Sequence, residues 1–77
     1  MKNRPQRLWA VTMPDWQRGK IVGRRAYWVT ARFTRRDAIA AWKAFYPADK
    51  AAAAWEHYRK ERYHRVERVT LIVEQAE

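Results

Sequence analysis

The chain has no cysteine, only two glycines and three prolines, and eight acidic side chains against seventeen basic ones. Each shortage excludes something. Without cysteine there is no disulfide framework and no thiolate metal site, which fits a reducing compartment and sets cytoplasmic as the expected location. No glycine-rich loop is available to cradle a phosphate. The start, "MKNRPQRLW", lacks the apolar stretch of a signal peptide. The longest aliphatic run, Val69 to Val73, is far short of the roughly 20 residues that span a bilayer, so no membrane partner is expected. Acidic residues are scattered where hydrolytic chemistry would need them paired, and Thr12, Thr30, Thr34 and Thr70 have no neighbouring histidine. His57 and His64, with Glu61 between them, lack a third convergent ligand. The expectation is a protein that is not an enzyme and carries no metal or cofactor.

Charge and aromatic rings are what the chain has in excess. A formal net charge of +9, carried mostly by arginine, points to a polyanionic partner, because a guanidinium binds phosphate through two parallel donors and stacks on rings. Five Trp, four Tyr and two Phe are more than one small core readily holds. A chain of 77 residues buries only about 60% of the surface its unfolded form exposes. Some of the rings are therefore expected on the surface, as a binding patch or a dimer contact.

Local signals predict one domain over residues 1–77 with the order β-β-α-α-β. The fold class is α+β: a small, mostly antiparallel three-stranded sheet with helices packed on one face. Residues 1–6 read as a flexible basic arm carrying Lys2 and Arg4. A strand is expected from Arg7 to about Met13, ended, bulged or placed at an edge by Pro14. A hairpin follows, with Gly19 in its turn and Gly23 at a bulge. Its return strand is expected to run to Phe33, with Tyr27, Val29, Ala31 and Phe33 facing inward and Arg24, Ala26, Trp28, Thr30 and Arg32 facing outward. Thr34 caps the next helix, with Asp37 three residues on, and Ile39, Trp42, Phe45 and Tyr46 form its apolar face. Pro47 ends it. A second helix, begun by Pro47 or capped by Asp49, carries Ala51, Trp55 and Tyr58 as a stripe and Glu56–Lys60 as an i, i+4 pair. The last strand, "RVERVTLIV", is expected to turn Val69, Leu71 and Val73 inward and Val66, Arg68, Thr70 and Ile72 outward.

From that alternation the expected binding surface is an outer sheet face bearing Arg24, Trp28, Arg32 and Arg68. It is extended by the hairpin residues Arg18, Lys20 and Arg25 and by the second-helix cations Arg59 and Arg62. A two-stranded ribbon fits the major groove of DNA, and a Trp among arginines is a stacking platform for unpaired bases. The function expected is that of a small nucleic-acid-binding protein, for DNA or RNA. The same face could instead hold a homodimer across the open sheet. Trp9 and Trp16 are open to either role, whereas Trp42 and Trp55 suit a core.

The run "GRRAYWVTARFTRRDAIAAW", with Phe33-Thr34 and Ala38 in an F-T-x-x-x-A phrase, resembles the strand-then-helix of the three-stranded arm-type DNA-binding domains of phage integrases. That resemblance covers about twenty residues and implies that Arg24, Trp28, Thr30 and Arg32 lie against DNA in the major groove. This chain departs from the pattern by carrying a second helix before its last strand. Its size and lack of a catalytic signature are also similar to phage-encoded inhibitors of host defence such as anti-CRISPR proteins. That likeness implies the alternative function, an inhibitor or adaptor that occludes an acidic protein or a nucleoprotein complex.

Overall fold

The computed structural model describes residues 3–74, with side-chain surroundings for residues 6–70. Three strands form an antiparallel sheet in the order β2-β1-β3, where β1 is Asn3–Gln17, β2 is Lys20–Ala26 and β3 is Arg65–Glu74. A 3-10 turn at Trp28–Thr30 and two helices, α1 at Arg35–Lys43 and α2 at Ala48–Glu61, lie between β2 and β3 in the chain. This is the small α+β arrangement that the sequence predicts.

Strand β1 is longer than expected at both ends. Asn3 to Gln6, read from composition as flexible, pair with Leu71 to Glu74 of β3, because an extended backbone gains a ladder of hydrogen bonds wherever a partner strand runs alongside. Met1 and Lys2 lie outside the described residues, as does the side chain of Arg4. At the other end β1 runs past Pro14. Pairing with β3 stops at Thr12, so on that side the missing N–H of Pro14 leaves no ladder bond unmade. The β1–β2 hairpin closes through Arg18 and Gly19, with φ of 53° and 75°, the two left-handed residues that match a hairpin turn to strand twist. Beside Gly23, Val22 is the extra residue of a bulge, since Gly23 pairs with Asp15 and Ile21 with Trp16.

After Ala26 the predicted strand breaks. Ala26 lies opposite Thr12, so a regular continuation would set Val29 opposite Trp9, yet Arg32 is there, exchanging hydrogen bonds of 2.7 and 2.8 Å with Trp9. Three residues, Trp28 to Thr30, have been looped out as the 3-10 turn. An odd insertion reverses the alternation of everything beyond it. Tyr27 still faces inward as expected, but Thr30 is fully buried, and Val29 and Phe33, expected inward, are 54% and 77% exposed. The Thr30 hydroxyl repairs the gap in the ladder: it accepts from the Val11 N–H (2.9 Å) and donates to the Tyr27 carbonyl (2.6 Å).

The inward side of β3 is also the reverse of the expectation. Val66 lies opposite Val11 and packs against the core, and Arg68 lies opposite Trp9, so these residues face the helices while Val69 pairs with Leu8 on the other face. With valine at both parities of β3, pairing to β1 decides which one is buried. The side chains of Leu71, Ile72 and Val73 lie outside the described residues.

Thr34 caps α1 as predicted, its Oγ1 accepting the Asp37 N–H at 3.1 Å. The helix ends at Lys43, earlier than its apolar spacing suggested. Phe45 and Tyr46 instead form tight bonds back to Trp42 and Lys43, because Tyr46 must leave the helical region before Pro47. Phe45 therefore leaves the helix face and stacks on Tyr27, with ring centroids 5.6 Å apart. Pro47 is the N-cap of α2, whose Ala51 and Trp55 are buried. Trp42 is the hub of the core, with Tyr46, Trp55 and Tyr58 at centroid separations of 4.9, 5.2 and 5.3 Å and Val11 beneath.

Replacing Thr30 by Val keeps the shape and removes the hydroxyl, leaving the Val11 N–H buried without a partner. The expected loss is about 1–3 kcal/mol of unfolding free energy in urea titrations, with Thr30→Ser recovering most of it.

Candidate functional site

The expected outer face does not exist as one surface. Arg24 and Ala26 do point away from the helices, but Arg32 and Arg68 lie opposite Trp9 on the helix side, and Trp28 stands on the looped-out turn. Thr30, placed against DNA by the integrase-like reading, is inside the protein.

Arg24 is structural. Its guanidinium crosses β1 and donates to Glu67 Oε1 (3.1 Å) and to the carbonyls of Thr12 (3.1 Å) and Tyr63 (2.6 Å), tying β2 to β3 and to the end of the α2–β3 connection. Thr12 donates its hydroxyl to the same carboxylate. That bond, with Arg24 behind it, holds the Glu67 carboxyl below its ordinary value. Other predicted cations also have partners: Arg25 pairs with Asp15 at 2.9 Å and Arg59 with Glu56 at 2.8 Å. Lys60 shares Glu56 at 3.5 Å, the pair expected from spacing. Arg18 and Lys20 are exposed at the hairpin tip, and Arg62 is exposed at the C-terminal end of α2.

What the fold brings together is a different set. Trp9 on β1 lies beneath two guanidinium groups, that of Arg68 from β3 at 5.0 Å and that of Arg35 from the first turn of α1 at 5.4 Å. Arg32 is the backbone partner of Trp9, its side chain turned back onto the carbonyls of Val29 and Ala31 (3.1 and 2.7 Å). Arg35 also belongs to two grooves, one along α1 with Arg36 and Lys43 and one between α1, α2 and β3 with Arg59 and Arg65. Among the described residues no carboxylate is ion-paired with Arg32, Arg35, Arg36 or Arg68.

Arg35 and Arg36 escaped the sequence reading, although a signal was present. Cations in the first turn of a helix oppose its macrodipole, so two adjacent arginines there are not explained by helix stability. Trp9 was legible only as a tryptophan of open role, because its arginine neighbours come from positions 26 and 59 residues away.

His64 sits half-buried beside Trp42 and Tyr58, and burial holds it below its ordinary value of 6.5, with Arg24 and Arg62 adding to the effect and a contact with the Arg62 carbonyl opposing it. Among the described residues no three His, Cys, Asp or Glu side chains gather as a metal site. No helix among them is long and apolar enough to cross a membrane. The chain matches no protein-family model, no curated protein and no solved structure.

Acidification should destabilise the fold in two windows. A histidine kept neutral by burial loses its contribution as pH falls below about 6.5, where the unfolded chain takes up the proton first. A carboxylate held low loses its contribution below about 4.5. Melting temperature should fall in both windows, His64→Phe abolishing the first and Glu67→Gln reducing the second, to which Glu56 also contributes. Arg24→Ala should cost about 2 kcal/mol at neutral pH, read as a drop of roughly 10 °C.

Proposed function

We propose that the protein is a non-enzymatic nucleic-acid-binding module whose phosphate-reading surface is the helix-side basic cluster around Trp9. One observation carries this reading. Guanidinium groups from β3 and α1 converge on a single indole without a paired carboxylate among the described residues, and the one from α1, Arg35, stands at a helix start, where a cation opposes the macrodipole. Held against a ring, each keeps its donor edge for a phosphate oxygen, and losing bulk-like hydration beforehand lowers the cost of making that bond. The groove carrying Arg35, Arg36 and Lys43 continues the positive surface across α1, and Arg65 lies in the neighbouring groove, which Glu67 also lines. Neighbouring phosphates of a strand would meet successive cations there.

Binding of this kind is electrostatic and weakly dependent on sequence. If about four to six phosphates are neutralised, log affinity for duplex DNA should fall against log salt with a slope of about −4 to −5. Changing Arg35 and Arg68 together to Ala should flatten the slope by about two, one unit per lost phosphate contact. Arg24→Ala should lower the melting temperature and leave the slope alone. Absence of DNA and RNA binding at low salt would overturn the reading and direct the same cluster to an acidic protein surface.

A further inference from the structure

A second feature adjoins the groove that carries Arg35 and Arg65, with His64 in the lining of both. Between the end of β2, the 3-10 turn and the two helices is an open cavity of about 660 Å³. Trp42, only 4% exposed, belongs to its floor, and Trp28, 49% exposed, to its open wall. Tyr27, Tyr46 and Tyr58 also line it. A hydrogen bond with Tyr58, followed by burial and the nearby Tyr58 and Tyr27 phenols, raises the Tyr46 hydroxyl above its ordinary value. The three phenols share this lining, and a phenol hydroxyl can both donate and accept.

The chemistry of the lining selects among ligands. Among the described residues no carboxylate lines the cavity, and the chain carries a net +9, which disfavours the cationic guests that aromatic cages usually take. Among the described residues the polar side chains of the lining are the phenols, the half-buried imidazole of His64 and Arg25, whose charge is paired with Asp15. Planar faces and hydroxyls that both donate and accept suit a flat, neutral heterocycle, and the net charge of +9 suits an anionic backbone attached to it. The looped-out turn is what makes this possible: had Trp28 remained in a regular strand, it would stand on the sheet face opposite the helices.

We propose that this cavity is a nucleobase subsite, taking one unpaired base of a single strand stacked on Trp28, with Tyr46 and Tyr58 hydrogen-bonding the base edge. The inference rests on the nucleic-acid reading and adds to it a preference for unpaired strands. A paired base within a duplex has its edge occupied and its faces covered by neighbours, so it cannot enter without being extruded.

The test compares a fluorescein-labelled oligo-dT, a duplex of equal length and free thymidine monophosphate against four proteins: wild type, Trp28→Ala, Trp28→Phe and the Arg35→Ala/Arg68→Ala double variant. Wild type should bind the single strand more tightly than the duplex, and thymidine monophosphate should perturb the Trp28 indole N–H resonance. Trp28→Ala should lose about tenfold on the single strand, with the duplex affinity and the salt slope unchanged. Trp28→Phe, which keeps a ring, should recover most of the loss. The double arginine variant should weaken both polymers and leave the mononucleotide effect in place. Equal affinity of Trp28→Ala and wild type for the single strand, with duplex binding intact, would overturn the subsite and spare the phosphate-reading cluster. Loss of all polymer binding by the wild type would overturn both.

Discussion

The looped-out turn at Trp28 to Thr30 is the constraint on which the rest of the molecule depends. Three residues leave the edge of β1, and the chain re-enters the ladder at Arg32 only because the Thr30 hydroxyl takes the place of a missing backbone carbonyl for Val11. A buried N–H without a partner is costly, so the turn and the threonine belong together. The odd length of the insertion then puts Arg32 on the helix side and hands the chain to Thr34 in position to cap α1. It also lifts Trp28 out of the sheet to stand over the cavity beside Trp42.

The same geometry divides the arginines into two groups. Arg24 on the outer face spans the sheet and satisfies Glu67 and two carbonyls, so its charge is consumed in joining β2 to β3. Arg25 and Arg59 are paired with acids. Arg35 and Arg68, by contrast, rest on Trp9, an interaction that orients a guanidinium without neutralising it. A large net charge tells of association in general, and this division indicates which cations are available for it.

The core is an aromatic cluster more than an aliphatic one. Trp42 touches rings from α2 and from the turn after α1, which lets two short helices and a narrow sheet bury enough apolar surface in 77 residues. The surplus rings that composition anticipated are at the surface: Trp28 beside the cavity, Trp16 against Tyr63 at 5.9 Å, and Phe33 in the open.

Local chemistry determined much of this protein from the sequence alone. Thr34 with Asp37 marked the start of α1, Pro47 the break between helices, Gly19 the hairpin and the Ala51, Trp55, Tyr58 spacing the buried side of α2, because caps, turns and helical stripes depend on residues within a few positions of one another. Those signals suffice for the α+β order and for the excess of positive charge. Side-chain direction beyond Ala26 was not legible, since period-2 alternation holds only while a strand is unbroken, and nothing in Trp28-Val29-Thr30 announces a turn that depends on a hydrogen bond to Val11, nineteen residues away. The two valine parities of β3 were equally ambiguous until pairing with β1 chose Val66. Which arginines meet Trp9 was likewise a decision of tertiary structure, because a cluster drawn from β1, α1 and β3 forms only when the sheet is assembled and the helix docked upon it.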